Sequence, residues 1–289
     1  MKIIITGANG QLGSEIQKIT KENHSPHIYI FTDYDELDIT NEKAVKNFFD
    51  EQKPDFLVNC AAYTAVDKAE TDFDNAMQLN AIAVANLVDA CKIYDTILVH
   101  ISTDYVFDGK KPEPYLETDT TNPLGIYGKT KLIGEQNALQ YAKSVVIRTS
   151  WLYSTFGNNF VKTMLRLGAQ QEKLRVVADQ IGSPTYAEDL ANAILQVIDI
   201  ITNKPEKAKF GIYQFANDGV CSWYDFAKEI IKLADRNCIV EPISTAEYPT
   251  PAKRPQYSLL SKDKIKSDYG VAVPHWKTSL EKCINSLIK

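Results

Sequence analysis

The sequence predicts an α/β fold in which a doubly wound parallel sheet carries a smaller C-terminal lobe. Short apolar runs rich in β-branched residues alternate with helical patterns from the N-terminus to about residue 150. Such alternation is typical of parallel strands joined by crossover helices. Glycine-rich or polar residues directly follow several of these runs. In open sheets of this class, ligands bind beyond the carboxyl ends of the strands, so these residues are the first candidates for a site.

The first strand and the turn after it form a recognisable unit. Lys2–Thr6 is a short β-branched run, and a helical pattern follows through Leu12, Ile16 and Ile19. Glycines in the turn between them would allow a tight bend, close backbone approach to a pyrophosphate and close helix–strand packing. The helix N-terminus would then face the phosphates. A purely structural turn is the alternative. The residues expected to bind a dinucleotide are Gly7, Asn9, Gly10, Gln11, Leu12 and Gly13.

An acidic residue follows the second predicted strand, 27–32. Asp33 lies at its end, where a carboxylate accepts hydrogen bonds from the adenosine ribose and opposes a 2′-phosphate. No Arg occurs before residue 148, so none is available here to bind that phosphate. This placement favours NADH at least as much as NADPH.

Two further segments are predicted at the same site. Asp38 and Ile39 would lie near the adenine; they also precede a helix capped by Thr40 or Asn41, and the two roles are compatible. The third strand, 55–59, is followed by residues whose backbone can lie against a cofactor. These residues are Ala61, Ala62 and Tyr63.

The remaining patterns extend the same alternation. Residues 211–215 and the helix before them are expected to return to the sheet, and the last two helices to form the lobe. The predicted helices are 72–94, 127–142, 158–167, 187–201, 222–236 and 275–288, and the further strands are 96–101, 144–148 and 211–215.

A polar strand end and a Tyr–Lys pair are the candidates for catalysis. The strand 96–101 leads into Thr103 and Asp104. Tyr127 and Lys131 stand four apart, so on a helix both side chains project from one face. A free Tyr titrates near ~10, and an adjacent ammonium lowers that pKa, which would allow proton exchange with a carbonyl or hydroxyl oxygen. The alternative is a Tyr and a Lys on a solvated helix face.

In these stretches the chain resembles the extended short-chain dehydrogenase/reductase family, which carries a Ser/Thr–Tyr–Lys constellation. The resemblance extends from residue 7 to about residue 260. The matching stretches are GANGQLG (7–13), NCAAYTAVDKAE (59–70), STDYVFDG (102–109), YGKTKLIGE (127–135), RTSWLY (148–153), GNNFVKTMLRL (157–167), DQIGSPTYAEDLA (179–191) and PTPAKRPQYSLL (249–260).

The resemblance implies a Rossmann-type fold and reduction of a ketone by NADPH or NADH. Tyr127 would donate the proton, while Lys131 would hold the nicotinamide ribose and lower the pKa of the tyrosine. Thr103 would hydrogen-bond the reacting oxygen. The branch of the family that the chain most resembles implies a dTDP-sugar substrate, dTDP-4-dehydro-L-rhamnose, reduced at C4.

We expect a discontinuous dinucleotide-binding domain (1–149 and 187–217) and a substrate-binding lobe (150–186 and 218–289). An Arg in the lobe could bind a nucleotide diphosphate through two parallel hydrogen bonds. For the three candidates beyond residue 150, the alternatives are a core aromatic, a helix cap and a surface Arg, in that order. The substrate-binding candidates are Thr103, Asp104, Trp151, Asn159 and Arg254.

Two other functions stay open. A nucleotide-sugar epimerase or 4,6-dehydratase shares the scaffold, but the dehydratases carry Asp-Glu after the Thr, whereas Asp104 is followed by Tyr105. A non-catalytic binding protein is the second alternative, because a relative of this family is a regulatory subunit of methionine adenosyltransferase. The intact Tyr127–Lys131 pair argues against it.

Composition argues against several partners. The net charge is −5 without a basic block, so we expect no nucleic-acid partner. No apolar run approaches the ~18 residues of a membrane span, and the N-terminus reads as strand and turn rather than a signal peptide. The five cysteines lack ligand spacing, which favours reduced thiols and a cytoplasmic protein. We expect a monomer or homodimer.

The four histidines likewise show no metal-ligand spacing. Some members of the family hold Mg²⁺ between subunits, and Glu15 and Glu188 match the positions of the ligands. The alternative is two surface carboxylates.

Overall fold

The structure is a computed structural model that describes residues 1–288, and strands and helices alternate along it. Every predicted strand and helix is present, with ends that differ by a few residues. The strands are β1 Lys2–Thr6, β2 Ile28–Thr32, β3 Phe56–Asn59, β4 Ile97–Thr103, β5 Ser144–Thr149, β6 Leu152–Tyr153, β7 Lys173–Val177, β8 Ile181–Gly182, β9 Thr185–Tyr186, β10 Gly211–Phe215, β11 Cys221–Ser222 and β12 Ile239–Ile243. The α-helices are α1 Gln11–Glu22, α2 Glu42–Gln52, α3 Val66–Ala69, α4 Phe73–Met77, α5 Ala83–Tyr94, α6 Ile126–Ala138, α7 Phe160–Gly168, α8 Ala187–Asn203, α9 Trp223–Leu233, α10 Asp263–Tyr269 and α11 Trp276–Leu287.

Six strands form a central, wholly parallel sheet in the spatial order β10–β5–β4–β3–β1–β2. The chain begins in β1, moves to β2 on one side, and then crosses to β3 on the other. This reversal opens a crevice at the carboxyl end of β1, where ligands of open α/β sheets bind. The predicted doubly wound sheet is confirmed, and β10 joins its edge as expected.

Helices cover both faces of the sheet, which explains why its strands are apolar runs rather than alternating patterns. Ile3 and Ile5 face α1, α8 and α10 on one side. Ile4 faces α2 and α5 on the other. All three side chains are fully buried. A one-residue slip would expose them, so this burial fixes the register and the position of the residues that follow each strand.

The helix predicted for 72–94 contains an irregular turn. The chain passes from α4 to α5 through Gln78–Ile82, a turn with π-helical hydrogen bonding. Such turns are rare and frequently lie at functional sites. Here the turn contains Asn80, whose side chain is buried.

The lobe has a core of its own, formed by α7, α9 and α11 with short paired strands. Tyr153 stacks on Tyr186 at 5.4 Å between ring centroids, and Phe226 meets Trp276 edge to face. Tyr153 also packs on Phe226, at 5.4 Å between ring centroids, and this contact joins segment 150–186 to segment 218–288. Within residues 1–288, no helix combines the length and the apolar character required to cross a membrane.

Candidate active site

A cavity of about 1040 Å³ lies at the carboxyl edge of the sheet. It extends from the glycine turn, past the ends of β2 to β5, to the first residues of the lobe. Most predicted site residues meet here. Those that line it are Gly7, Asn9, Gly10, Gln11, Leu12, Asp33, Asp38, Ile39, Ala61, Ala62, Tyr63, Thr103, Asp104, Tyr127, Lys131, Trp151 and Asn159.

The glycine turn has the predicted strand–turn–helix geometry. Gly7 has a φ of 65°, and a Cβ there would lie 2.7 Å from the backbone nitrogen of Ala61. At Gly13 a Cβ would lie 2.5 Å from the carbonyl oxygen of Gly7, so a side chain would push α1 away from β1. No side chain caps α1 at Gly10. The first N–H groups of α1 therefore remain available to an anion.

The two acidic candidates line the far end of the cavity. Asp33 Oδ2 accepts a hydrogen bond from the backbone N–H of Asn9 (2.9 Å), which ties the end of β2 to the glycine turn. Asp38 Oδ1 accepts from the backbone N–H and the hydroxyl of Thr40. Of the two predicted caps of α2, Asn41 is the one that bonds, accepting from the N–H of Ala44 (3.1 Å).

Sequence reasoning missed Asn80, which joins two walls of the cavity. Its Oδ1 accepts from the backbone N–H of Tyr63 (2.8 Å), and its Nδ2 donates to the Tyr63 carbonyl (3.1 Å). The same Nδ2 donates to Thr130 Oγ1 (3.1 Å), between the two catalytic candidates of α6. An Asn within an apolar helical run could have indicated a buried polar residue. The π-helical turn that directs its side chain inward has no simple sequence pattern.

Tyr127 and Thr103 are neighbours, as predicted. Tyr127 is half-buried, and its phenol lies close enough to the Thr103 hydroxyl for that hydroxyl to influence its pKa. Burial raises the pKa of Tyr127 to about 12; the Thr103 hydroxyl lowers it and the Asp104 carboxylate raises it further. The phenol is therefore a proton donor held in its protonated form at neutral pH.

Lys131 lies one turn further along α6 and is only 2% exposed, so the solvated-face alternative is wrong for it. Its Nζ donates to the carbonyl oxygen of Ile101 (2.6 Å). Burial lowers the pKa of Lys131 to about 8, while the nearby Glu135 raises it. The predicted lowering of the Tyr127 pKa by Lys131 does not appear in this arrangement, because burial dominates and Asp104 is the charge that acts on the phenol.

A buried ion pair behind Lys131 was also missed. Arg148 on β5 binds Glu135 through two hydrogen bonds, of 2.9 and 2.5 Å, and the Ser102 hydroxyl donates to the same carboxylate. Arg148 and Glu135 are each 2% exposed. Because breaking such a pair leaves an uncompensated buried charge, it fixes α6 firmly against β4 and β5. In the sequence, the four-residue spacing of Lys131 and Glu135 could have indicated that Glu135 lies on the same face of the helix as Lys131.

Asp104 is a second buried acid beside the phenol. Its Oδ1 accepts from the Thr103 hydroxyl (3.0 Å). Its Oδ2 is buried without a hydrogen-bond partner among residues 1–288. Burial raises the pKa of Asp104 to about 6, and the Ser258 and Thr103 hydroxyls offset part of the rise.

Trp151 projects into the cavity from a strained backbone. Its φ is 47°, a left-handed conformation that is costly for a bulky residue, at about 1–3 kcal/mol. The indole stacks on Trp223 of α9, with 3.7 Å between ring centroids and 12° between planes. A Cβ on Gly182 would lie 2.9 Å from its six-membered ring. Trp151 is therefore not an ordinary core aromatic, since it is half-buried and lines the cavity.

Asn159 and Arg254 are engaged with the protein itself. Asn159 caps α7 and donates to Gln11 Oε1 (3.0 Å), which ties the lobe to the glycine turn. Arg254 forms two hydrogen bonds with Asp67, of 3.0 and 2.7 Å. Its guanidinium is partly buried next to Tyr105 rather than a free surface group, and it lies behind the residues that line the cavity.

The alternative of two surface carboxylates at Glu15 and Glu188 is wrong. Glu15 is fully buried and accepts from the Ser154 hydroxyl (2.6 Å). Glu188 is 7% exposed and pairs with Lys18 (3.1 Å) and Lys282. Glu188 is thus paired inside one chain, whereas Glu15 is bonded only at Oε1, since its Oε2 is buried without a hydrogen-bond partner among residues 1–288. No group of three or more His, Cys, Asp or Glu residues suited to a metal ion occurs among residues 1–288, and Mg²⁺ has no support.

Comparison with known proteins finds relatives that match the chain over nearly its full length. A dTDP-4-dehydrorhamnose reductase of Aggregatibacter actinomycetemcomitans is 42% identical, over 97% of each chain. The crystal structure of a dTDP-4-dehydrorhamnose reductase from Clostridium acetobutylicum matches all of both chains with a TM-score of 0.95 and 47% identity. That of the Bacillus anthracis enzyme, in complex with NADP, matches 99% of both chains with a TM-score of 0.92 and 41% identity.

The expected resemblance to extended short-chain dehydrogenases/reductases is confirmed by these full-length matches. The family model described as the RmlD substrate binding domain matches residues 1–288. The chain belongs to that family.

Proposed function

We propose that this protein is an NAD(P)H-dependent dTDP-4-dehydrorhamnose reductase, which reduces the C4 ketone of dTDP-4-dehydro-L-rhamnose to dTDP-L-rhamnose. The observation that carries the proposal is the meeting of Tyr127, Thr103 and Lys131 in one cavity below the glycine turn. The family supplies the sugar nucleotide, because its relatives with this name match the chain from end to end.

The residues present fit a nicotinamide dinucleotide. Gly7 and Gly13 bring the backbone of the turn close to its neighbours, and the uncapped start of α1 suits a pyrophosphate. Asp33 and Asp38 would accept from the adenosine end, with Ile39 against the base. Ala61, Ala62 and Tyr63 would pack along the middle of the cofactor, and Lys131 would hold the nicotinamide ribose. The nicotinamide supplies the hydride when it is bound.

The protein's own groups would manage the charge that develops on the substrate oxygen. Tyr127 would donate its phenolic proton to the new alkoxide at C4. Thr103 would donate to the same oxygen by turning its single hydroxyl proton away from Asp104, to which it donates at 3.0 Å in this structure. Donors aimed at an oxygen that becomes negative stabilise the transition state more than the ground state.

The lobe would hold the rest of the substrate. We propose the division 1–149 and 187–217 for the cofactor and 150–186 and 218–289 for the sugar nucleotide, which the separate core of the lobe supports. Trp151 would contact the sugar and Asn159 would fix the wall beside it. Arg254 would reach the diphosphate by exchanging its Asp67 partner for a phosphate, since guanidinium binds both anions in the same two-point manner.

We further propose a cytoplasmic protein, consistent with the five free thiols, acting as a monomer or homodimer. Sedimentation equilibrium would decide between the two assemblies. We propose neither a nucleic-acid nor a membrane partner.

The decisive experiment follows the absorbance of NADPH and of NADH with purified protein and dTDP-4-dehydro-L-rhamnose. Consumption of reduced cofactor with formation of dTDP-L-rhamnose supports the reductase. An epimerase or dehydratase would carry tightly bound NAD⁺ and consume no reduced cofactor overall. A regulatory binding protein would bind ligands without turnover, so a flat trace with both cofactors contradicts the proposal.

A further inference from the structure

The support behind Trp151 is the feature that the proposed reaction does not yet explain. Trp223 is the first residue of α9, and it is half-buried. The Ser222–Asp225 capping box fixes the start of that helix, with the Ser222 hydroxyl accepting from the Asp225 N–H (3.0 Å). Phe160 packs on Trp223 from a further side, at 4.7 Å between ring centroids. Trp223 is therefore held in place by contacts that do not involve Trp151.

Trp151 depends on this support because only part of its surface is covered. One face lies on Trp223, and the edge of its six-membered ring lies against Gly182. Gly182 belongs to β8, which pairs with β11, and β11 ends directly before Trp223. The same two-stranded sheet therefore positions both Gly182 and Trp223 against the indole of Trp151. The remaining surface of the indole lines the cavity. Without these contacts, the Trp151 side chain, which lies next to a large cavity on a left-handed backbone, would have room to change rotamer.

We propose that Trp223 is a positioning residue for substrate: it holds the plane of Trp151, against which the apolar face of the substrate's sugar ring packs. The inference rests on the proposed function and adds a residue to it. Trp223 is not among the described residues that line the cavity, so it acts through Trp151 alone. A rigid aromatic ring can pack its apolar surface against the C–H groups of a sugar at a low cost in conformational entropy.

The test compares Trp223→Ala with Trp223→Phe, using Tyr224→Ala as the matched control. Tyr224 is the next residue of α9, also half-buried, and its ring packs under Lys228 rather than Trp151. We expect Trp223→Ala to raise KM for the keto-sugar about tenfold or more while KM for NADPH changes less than about twofold, as a loosened binding wall would do. Trp223→Phe should restore most of the loss, and Tyr224→Ala should match the wild type.

The inference is overturned if KM for the keto-sugar is unchanged in Trp223→Ala, or if KM for both ligands rises equally. Should Trp223→Ala fail to fold, Gly182→Ala takes its place, because the added methyl would lie 2.9 Å from the indole of Trp151, and 2.8 Å from the Ser258 hydroxyl, while Trp223 stays in place. An unchanged KM for the keto-sugar in Gly182→Ala would also overturn the inference. A wild-type protein without turnover refutes the proposed function instead, and calorimetric titration of the variants with dTDP-L-rhamnose then tests Trp223 separately.

Discussion

Two phenols stand side by side in the cavity, and replacing each in turn identifies the proton donor. The rings of Tyr105 and Tyr127 meet edge to face, with 5.3 Å between centroids. Tyr127 is the one next to Thr103, whereas Tyr105 lies toward Arg254 and Asp67. We predict that Tyr127→Phe abolishes most turnover and that Tyr105→Phe does not.

The magnitude follows from what the substitution removes. With a pKa of about 12, only about one Tyr127 phenol in 10⁵ is ionised at pH 7, so almost every molecule holds the proton to be donated. A positioned general acid contributes about 10²–10⁴-fold, which corresponds to ~3–5 kcal/mol of transition-state stabilisation. The ring and its packing remain in Tyr127→Phe, and losing one polar contact of the hydroxyl costs only about 1 kcal/mol of folding stability. We therefore expect kcat to fall while the melting temperature changes little.

The assay is steady-state oxidation of NADPH with the keto-sugar, alongside a fluorescence titration of NADPH binding. We expect kcat of Tyr127→Phe to fall at least about 100-fold with a nearly unchanged Kd for NADPH, and Tyr105→Phe to keep kcat within about tenfold of the wild type. A Tyr105→Phe variant as impaired as Tyr127→Phe would refute the assignment. Retention of more than about a tenth of kcat by Tyr127→Phe would do so as well.

Three further predictions concern the charged groups of the site. Lys131→Ala should weaken NADPH binding about tenfold or more as well as slow turnover, because the ammonium would serve both the ribose and the reaction; a titration showing wild-type affinity would contradict this. Asp104→Asn should raise the melting temperature at pH 8 but not at pH 4. Folding raises the pKa of this carboxyl from 3.8 to about 6, so its contribution to folding stability is greatest below the unfolded pKa. The protein loses up to about 3 kcal/mol of that stability as the pH rises through 6, and the Asn variant does not share this loss. Equal melting shifts at the two pH values would count against the buried, ionised Asp104. Asp33→Asn should raise kcat/KM for NADPH relative to NADH about tenfold by removing a charge that opposes the 2′-phosphate, and an unchanged ratio would show that Asp33 does not face the ribose.

Local sequence patterns predicted the parts of the site that the sheet itself positions. The strands are buried on both faces, so their ends are fixed, and the residues that follow β1 to β4 must meet at one edge. Tyr127 and Lys131 share a helix, which makes their common face a local property. For these groups, spacing along the chain carries the three-dimensional information.

The contacts that could not be predicted join residues far apart in sequence. Trp151 and Trp223 stack across 72 positions, and Arg254 reaches Asp67 across 187. The burial of Glu15 depends on Ser154, which is contributed by another segment of the chain. No period or motif encodes such pairings, because they depend on how the lobe packs against the sheet.

Burial moves three ionisable groups of the reaction site toward their neutral forms. The pKa values of Asp104 and Tyr127 rise and that of Lys131 falls, each with desolvation as the largest cause. In such a poorly hydrated site, a hydrogen bond to a developing negative charge is worth more than the same bond in water. Lys131 with a pKa of about 8 remains about nine-tenths protonated at pH 7, so the site keeps its cation together with a fully protonated phenol. A positive charge and a loaded proton donor are the two conditions that stabilise an alkoxide as it forms, which is why this protonation pattern favours reduction of a ketone at neutral pH.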